Sequence, residues 1–349
     1  MSLPEPRILS LIFYQYDDNY WFKLIDILIS RIPMTTGNDV VPQELGVVPV
    51  IPTPFDSAGE IDEFALRRFI DFAVGCGVQA VCLPAYASEF YKLSDRERTE
   101  VVRIAVEEAA GRISVIAQCN HGSARFARSL AQTSAALGAD VISVAVPRLF
   151  ALSDDDLMEY LATVLNGVPT PCLVQDFNPG GPTIGAEFTA KLFAACPNLR
   201  YLKLEEALCA QKVTAIRDAT QDQVGILEGW GGLYMMELIP VGICGVMPGL
   251  GMADVLTQVY SLRKGGEAEA AFALHERVLS HIVFSLQNME LYIYMEKRLL
   301  EARGLLAAVN QRVPHFRPDK FTDQYVGELT SRILKVAYSL NATVPRSAR

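Results

Sequence analysis

The sequence predicts an α/β protein, a (β/α)8 TIM barrel followed by a C-terminal helical bundle, and three observations carry that prediction. Eight short apolar runs recur between residues 46 and 247, each ending in polar, Gly or Pro residues and each followed by a helix-sized segment. The runs are apolar throughout rather than alternating, so both faces of the sheet are covered, as happens when strands run parallel beneath crossover helices. No Gly-rich dinucleotide-binding fingerprint follows the first run, so a closed barrel fits eight units better than a doubly wound open sheet.

Taken in order, residues 1–44 read as an N-terminal extension. It mixes apolar stretches with an aromatic and acidic segment, and Asp17, Asp18 and Asp26 argue against a signal or transit peptide. A packing arm for a neighbouring subunit is the expectation. The barrel spans 45–266, with strands expected at 46–53, 78–84, 113–119, 141–146, 171–175, 199–203, 224–227 and 243–247. Ser94 with Glu97 has capping-box spacing, and Ser153 opens the acidic first turn Asp154-Asp155-Asp156, so helices are expected to begin at both places. After Gly251 the strand pattern stops. Residues 255–304 are largely helical with a break at Gly265-Gly266, and 267–349 form a C-terminal helical region whose last helix, near 323–340, follows a rigid connection containing Pro314 and Pro318.

Composition narrows the function classes. The 349 residues are 50% apolar and 20% charged, enough for a large core, and the net charge of −9 disfavours nucleic acid or an anionic membrane as partner. No apolar run of membrane-spanning length is free of charge, so no transmembrane span and a cytoplasmic location are expected. Seven scattered cysteines without CxxC spacing suit reduced core thiols better than disulfides or a zinc site.

In a barrel of this kind chemistry gathers at the carboxyl ends of the strands. The residues there are Thr53 and Pro54, Ser88 and Glu89, Asn120 and His121, Pro147 and Arg148, Gln175 and Asp176, Lys203 and Glu205, Glu228, and Met247 with Pro248, and among them only Lys203 is a lysine. In the run Tyr201-Leu202-Lys203-Leu204-Glu205 a side-chain period of two puts Tyr201, Lys203 and Glu205 on one face. A partly buried amine beside a carboxylate is either a nucleophile toward carbonyls with a proton-transfer partner or an ordinary ion pair reaching solvent. Ser88 offers a hydroxyl for a carboxylate, or simply a turn. Gly249-Leu250-Gly251 offers N–H groups to an anion, or a tight turn. His275 and His281, six apart, fall on different helix faces, and Ser261-Leu262-Arg263-Lys264 lacks companion motifs, so neither pattern is read as a site.

These segments together resemble the dihydrodipicolinate synthase/N-acetylneuraminate lyase family of Schiff-base lyases. The resemblance covers roughly residues 45–310. It rests on Gly46-Val47-Val48-Pro49-Val50-Ile51-Pro52-Thr53-Pro54-Phe55, on Ser88-Glu89-Phe90-Tyr91-Lys92-Leu93-Ser94-Asp95-Arg96-Glu97-Arg98, and on Tyr201-Leu202-Lys203 at the place of the family's lysine. Departures stand beside the matches. The family's GTTGE is here Ala85-Tyr86-Ala87-Ser88-Glu89, its phenol-bearing turn is Val146-Pro147-Arg148-Leu149-Phe150, and its YNxPxRTG stretch begins Val174-Gln175-Asp176. Val174-Gln175-Asp176 and Tyr201-Leu202-Lys203-Leu204-Glu205 are similar to the 2-keto-3-deoxy-L-arabonate dehydratase branch.

That resemblance implies a lyase in which Lys203 forms the Schiff base and Glu205 abstracts the proton. Ser88, Thr53, Gln175, Asp176, Asn120 and Gly229 become the candidate substrate-binding residues. It implies no cofactor beyond the covalent imine, no metal, a small 2-oxo acid as partner and a homo-oligomer, dimer or tetramer. Dehydration of a 2-keto-3-deoxy sugar acid is the expected reaction; pyruvate-dependent aldol chemistry, dihydrodipicolinate synthase-type condensation and a non-catalytic relative are the alternatives.

Overall fold

A computed structural model describes residues 43–148, 151–178, 181 and 183–343. The N-terminal extension up to residue 42, the pair Leu149 and Phe150, and the last six residues lie outside the described part.

All eight expected strands form: β1 Gly46–Val47, β2 Ala80–Leu83, β3 Ser114–Gln118, β4 Val141–Ala145, β5 Cys172–Asp176, β6 Leu199–Leu204, β7 Gly225–Glu228 and β8 Gly245–Val246. They are parallel, in the order β1-β8-β7-β6-β5-β4-β3-β2, and Val50 closes the ring by bridging both Cys82 and Gly249. The first strand is far shorter than the expected 46–53 because Pro49, Pro52 and Pro54 have no N–H to donate to a ladder.

Between and after the strands come α1 Glu63–Gly75, α2 Asp95–Ala109, α3 Ala124–Ala136, α4 Asp154–Leu165, α5 Ala186–Ala195, α6 Ala210–Thr220, α7 Met235–Leu238, α8 Ala253–Lys264, α9 Ala268–Ser285, α10 Met289–Ala302 and α11 Lys320–Thr343. Both expected helix starts are realised. Ser94 and Glu97 cap α2 reciprocally, and Ser153 forms the same box with Asp156 at α4.

Two apolar layers explain why the strands read as unbroken apolar runs. Val48, Val50, Cys82, Ile116, Leu173, Tyr201 and Leu227 fill the barrel. Val81, Val115, Ile142, Val174, Leu202 and Leu204 face outward beneath the helices. The helices α9, α10 and α11 pack on one another, α9 and α11 also pack on α8, and α10 returns against the turn that follows β2. No helix among the described residues is long and apolar enough to cross a membrane.

Candidate active site

Strand β6 delivers its side chains as its pleat requires. Leu202 and Leu204 are buried under the helices, while Tyr201 lies inside the barrel and Lys203 and Glu205 line a cavity of about 360 Å³ at its carboxyl end. The Lys203 Nζ stands 3.0 Å from Glu205 Oε1, and both side chains are 6% exposed.

The neighbouring strands hold this pair in place. Gln175 is the β5 register partner of Lys203, and its Nε2 donates to Glu205 Oε1 and Oε2 at 3.1 and 3.0 Å. Its own Oε1 accepts from Gln118 Nε2 on β3, so three strands contribute to one hydrogen-bonded row. Burial pushes the Glu205 carboxyl above its ordinary value, with Lys203 and Gln175 pulling the other way. The side closest to β7 is open only because residue 229 is glycine. A Cβ there would lie 2.4 Å from Glu205 Cγ and 2.6 Å from Lys203 Cε. Glu228 ties down the loop that carries this glycine by accepting from the N–H groups of Trp230, Gly232 and Tyr234 at 3.0, 2.9 and 3.4 Å. Complete burial nonetheless pushes the Glu228 carboxyl up to about 7.

The structure therefore brings together four of the expected site residues, Lys203, Glu205, Gln175 and Gly229. The other four have different surroundings and do not line this cavity. Thr53 Oγ1 donates to the Ser88 carbonyl at 2.6 Å, which ties the first strand segment to the turn after β2. Ser88, the candidate for a substrate carboxylate, is completely buried, and its hydroxyl has no partner among the described residues. The reason is geometric. Tyr86–Ser88 form one 3-10 turn ended by Glu89 at φ 64°, so Tyr86 and Ser88 point in different directions, and Tyr86 takes the cavity wall. Asn120 accepts from the Ala145 N–H at 2.7 Å and lines a second cavity, which shares Tyr86 and Phe177 with the first. Asp176 points away from Lys203, binding Arg148 at 3.0 and 2.6 Å and accepting from the Ile184 N–H at 2.7 Å.

Several wall residues were not among the sequence candidates. Tyr86, Phe177 and Trp230 form an aromatic side, with ring centroids 5.0 Å apart between Tyr86 and Phe177 and 6.2 Å between Phe177 and Trp230. Tyr292, one turn into α10, brings a phenol from the helical region to the cavity wall, and burial pushes that phenol well above its ordinary value. One turn further, Glu296 is buried with its carboxyl pushed up to about 7 and accepts from the Gly251 N–H at 2.9 Å. The anion for which Gly249-Leu250-Gly251 was a candidate is thus a side chain of the same molecule. The one sequence signal for this pair is its i, i+4 spacing on an apolar helix. His275 meets the Gly232 carbonyl at 3.0 Å, and Lys264 pairs with Glu44; neither enters the cavity.

Chemically, a buried amine held 3.0 Å from a carboxylate, in a cavity large enough for a small sugar acid, can add to a carbonyl and move protons on the adjacent carbon.

Comparison with known proteins agrees in fold and family. The profile of the dihydrodipicolinate synthetase family matches residues 43–331. The chain is 26% identical to the L-2-keto-3-deoxyarabonate dehydratase of Azospirillum brasilense over 284 residues, 80% of this chain and 91% of that one. It is 26% identical over 299 residues to the 4-hydroxy-tetrahydrodipicolinate synthase of Sorangium cellulosum, 82% of this chain and 95% of the other. Among solved structures, the dihydrodipicolinate synthase of Rhodopseudomonas palustris superposes with a TM-score of 0.78 at 25% identity, covering 84% of this chain and 99% of that one.

Proposed function

The chain belongs to the dihydrodipicolinate synthetase family of lyases, and from that premise we propose that it dehydrates a 2-keto-3-deoxy sugar acid, converting 2-keto-3-deoxy-L-arabonate to 2,5-dioxopentanoate. The observation that carries this reading is the placement of Glu205, whose carboxylate lies 3.0 Å from the Lys203 nitrogen inside the cavity. A base so close to the imine nitrogen is suited to the carbon next to the imine.

The Lys203 proton passes to Glu205 and the free amine adds to C2. Glu205 returns that proton to the C2 hydroxyl, which leaves as water, and a protonated imine remains. The imine acidifies C3, Glu205 removes a C3 proton, and an enamine forms. Breaking the C4–O bond from the enamine gives a conjugated iminium, and loss of a C5 proton, return of a proton to C3 and hydrolysis release the product. The iminium is the electron sink, so this route calls on no further cofactor. Gln175 holds both Glu205 oxygens and so fixes which way the base points.

Support for dehydration comes from the Azospirillum brasilense relative, and the competing reading, an aldolase that releases pyruvate, draws on the synthase relatives. The two separate in one assay. Incubation with 2-keto-3-deoxy-L-arabonate should yield a five-carbon oxo-aldehyde detected with an aldehyde dehydrogenase. Pyruvate as the main product, detected with lactate dehydrogenase, would replace the dehydratase reading with the aldolase one.

A further inference from the structure

We infer that Tyr86, which lines the same cavity as Lys203 and Glu205, is the general acid that protonates the departing C4 hydroxyl. The inference rests on the dehydratase reading above and names a group that this reading lacks. Hydroxide is a poor leaving group, and Glu205 has just taken the C3 proton at the moment the C4–O bond must break. A donor other than Glu205 for the C4 oxygen lets that carboxyl keep the proton it must later return to C3.

Tyr86 meets the geometric requirements for that role. It lines the cavity that holds Lys203 and Glu205. Its ring is fixed between Phe90, edge-on at 5.1 Å, and Phe177, tilted at 5.0 Å, so the hydroxyl is carried on a rigid support. Among the described residues that hydroxyl has no hydrogen-bond partner, so it is available to a ligand. Burial and then the nearby Glu205 charge push the Tyr86 phenol up to about 12, so at neutral pH it carries its proton.

The step balances without any further reactant. Electrons from the enamine nitrogen re-form the iminium, the C2=C3 bond shifts to C3=C4, and the C4–O bond breaks while the Tyr86 proton joins the leaving oxygen to make water. The phenolate then takes a C5 proton from the conjugated iminium, which restores the phenol. Glu205 returns its proton to C3, and tautomerisation and hydrolysis give the oxo-aldehyde.

The test is Tyr86→Phe, which keeps the ring packing and deletes only an oxygen that makes no bond to the protein. Three readouts are compared with the unaltered protein: borohydride trapping with pyruvate, deuterium exchange at C3, and elimination from two substrates. Trapping and exchange should stay within a few-fold. Dehydration of 2-keto-3-deoxy-L-arabonate should fall by ~10²-fold or more, as expected for loss of a general acid. Fluoride release from 4-fluoro-2-oxopentanoate should be nearly unchanged, because fluoride leaves without a proton. Equal losses on the hydroxy and fluoro substrates would reduce Tyr86 to a wall residue, and no loss on either would also overturn the proposal. If the unaltered protein neither traps pyruvate nor exchanges C3, the Schiff-base reading fails and this inference fails with it.

Discussion

Among the described residues, buried lysine–glutamate pairs lie in two places, and only one of these places borders the candidate active-site cavity. Lys203 and Glu205 stand at the carboxyl end of β6, 3.0 Å apart and 6% exposed, facing a cavity. Lys297 of α10 and Glu89 of the turn after β2 form an ion pair with no exposure at all. The Lys297 ammonium lies 4.6 Å from the centre of the Phe55 ring, and the other Glu89 oxygen meets Lys92, which continues to Glu290 at 2.7 Å. Burial lowers the pKa of Lys297 and Glu89 opposes that shift. A buried amine beside a carboxylate is thus no signature of catalysis by itself. What distinguishes Lys203 is access, kept open by the absent side chain of Gly229, and a partner whose oxygens are held by Gln175 rather than by a second lysine.

The sharpest way to break this contrast is to remove each lysine in turn. Lys203→Ala should abolish borohydride trapping and turnover and leave the melting transition nearly in place. Lys297→Met should do the reverse, lowering stability by about 3–5 kcal/mol because Glu89 is left buried with too few partners, while the folded fraction still traps pyruvate. Denaturant unfolding and intact-mass measurement on both variants check the pair, and loss of trapping in folded Lys297→Met would erase the distinction. Glu205→Gln comes next. Imine formation should survive while C3 deuterium exchange falls by ~10²- to 10⁴-fold, and exchange at the unaltered rate would move the base elsewhere.

Gly229→Ala tests the access side of the contrast with a single methyl. The new Cβ overlaps Glu205 Cγ and Lys203 Cε, so both must shift, and a displacement near 1 Å is expected to slow turnover by ~10²-fold. Steady-state kinetics matching the unaltered protein would show that the pair tolerates repositioning.

The smallest effect is on stability against pH. Glu228 and Glu296 are both raised to about 7 by burial, above the ordinary 4.5. The folded state holds protons that the unfolded chain has released, so each group adds a penalty that is absent below pH 4.5, grows through the window up to 7 and is complete above it. Stability should therefore decline between pH 5 and 8, by at most about 3 kcal/mol for each carboxyl. Glu296→Gln should flatten that decline in urea unfolding, and parallel pH profiles for variant and parent would remove Glu296 as a cause.

The barrel was legible because its strands are covered on both faces and its helices open on Ser94 and Ser153, signals that are local in the chain. Lys203 and Glu205 were legible because a period of two survives in any straight strand. Other parts of the site depend on what no local pattern carries. Ser88 carries the hydroxyl nearest the family motif, whereas a 3-10 turn and a left-handed Glu89 bring Tyr86 to the cavity wall. Gln118 sits two residues inside Asn120, and the true end of β3 determines which of them faces Glu205 through Gln175. Tyr292 lies more than 80 residues beyond Lys203 and reaches the cavity only because α10 folds back over the barrel mouth.

The account turns on Lys203 forming an imine with a 2-oxo acid, and one measurement addresses that directly. The protein is incubated with pyruvate, reduced with borohydride, digested and mapped by mass spectrometry. The account predicts one reduced-pyruvate adduct per chain, on the peptide containing Lys203, with the Lys297 peptide unmodified. A chain that gains no adduct, or gains it on a lysine other than Lys203, would contradict it.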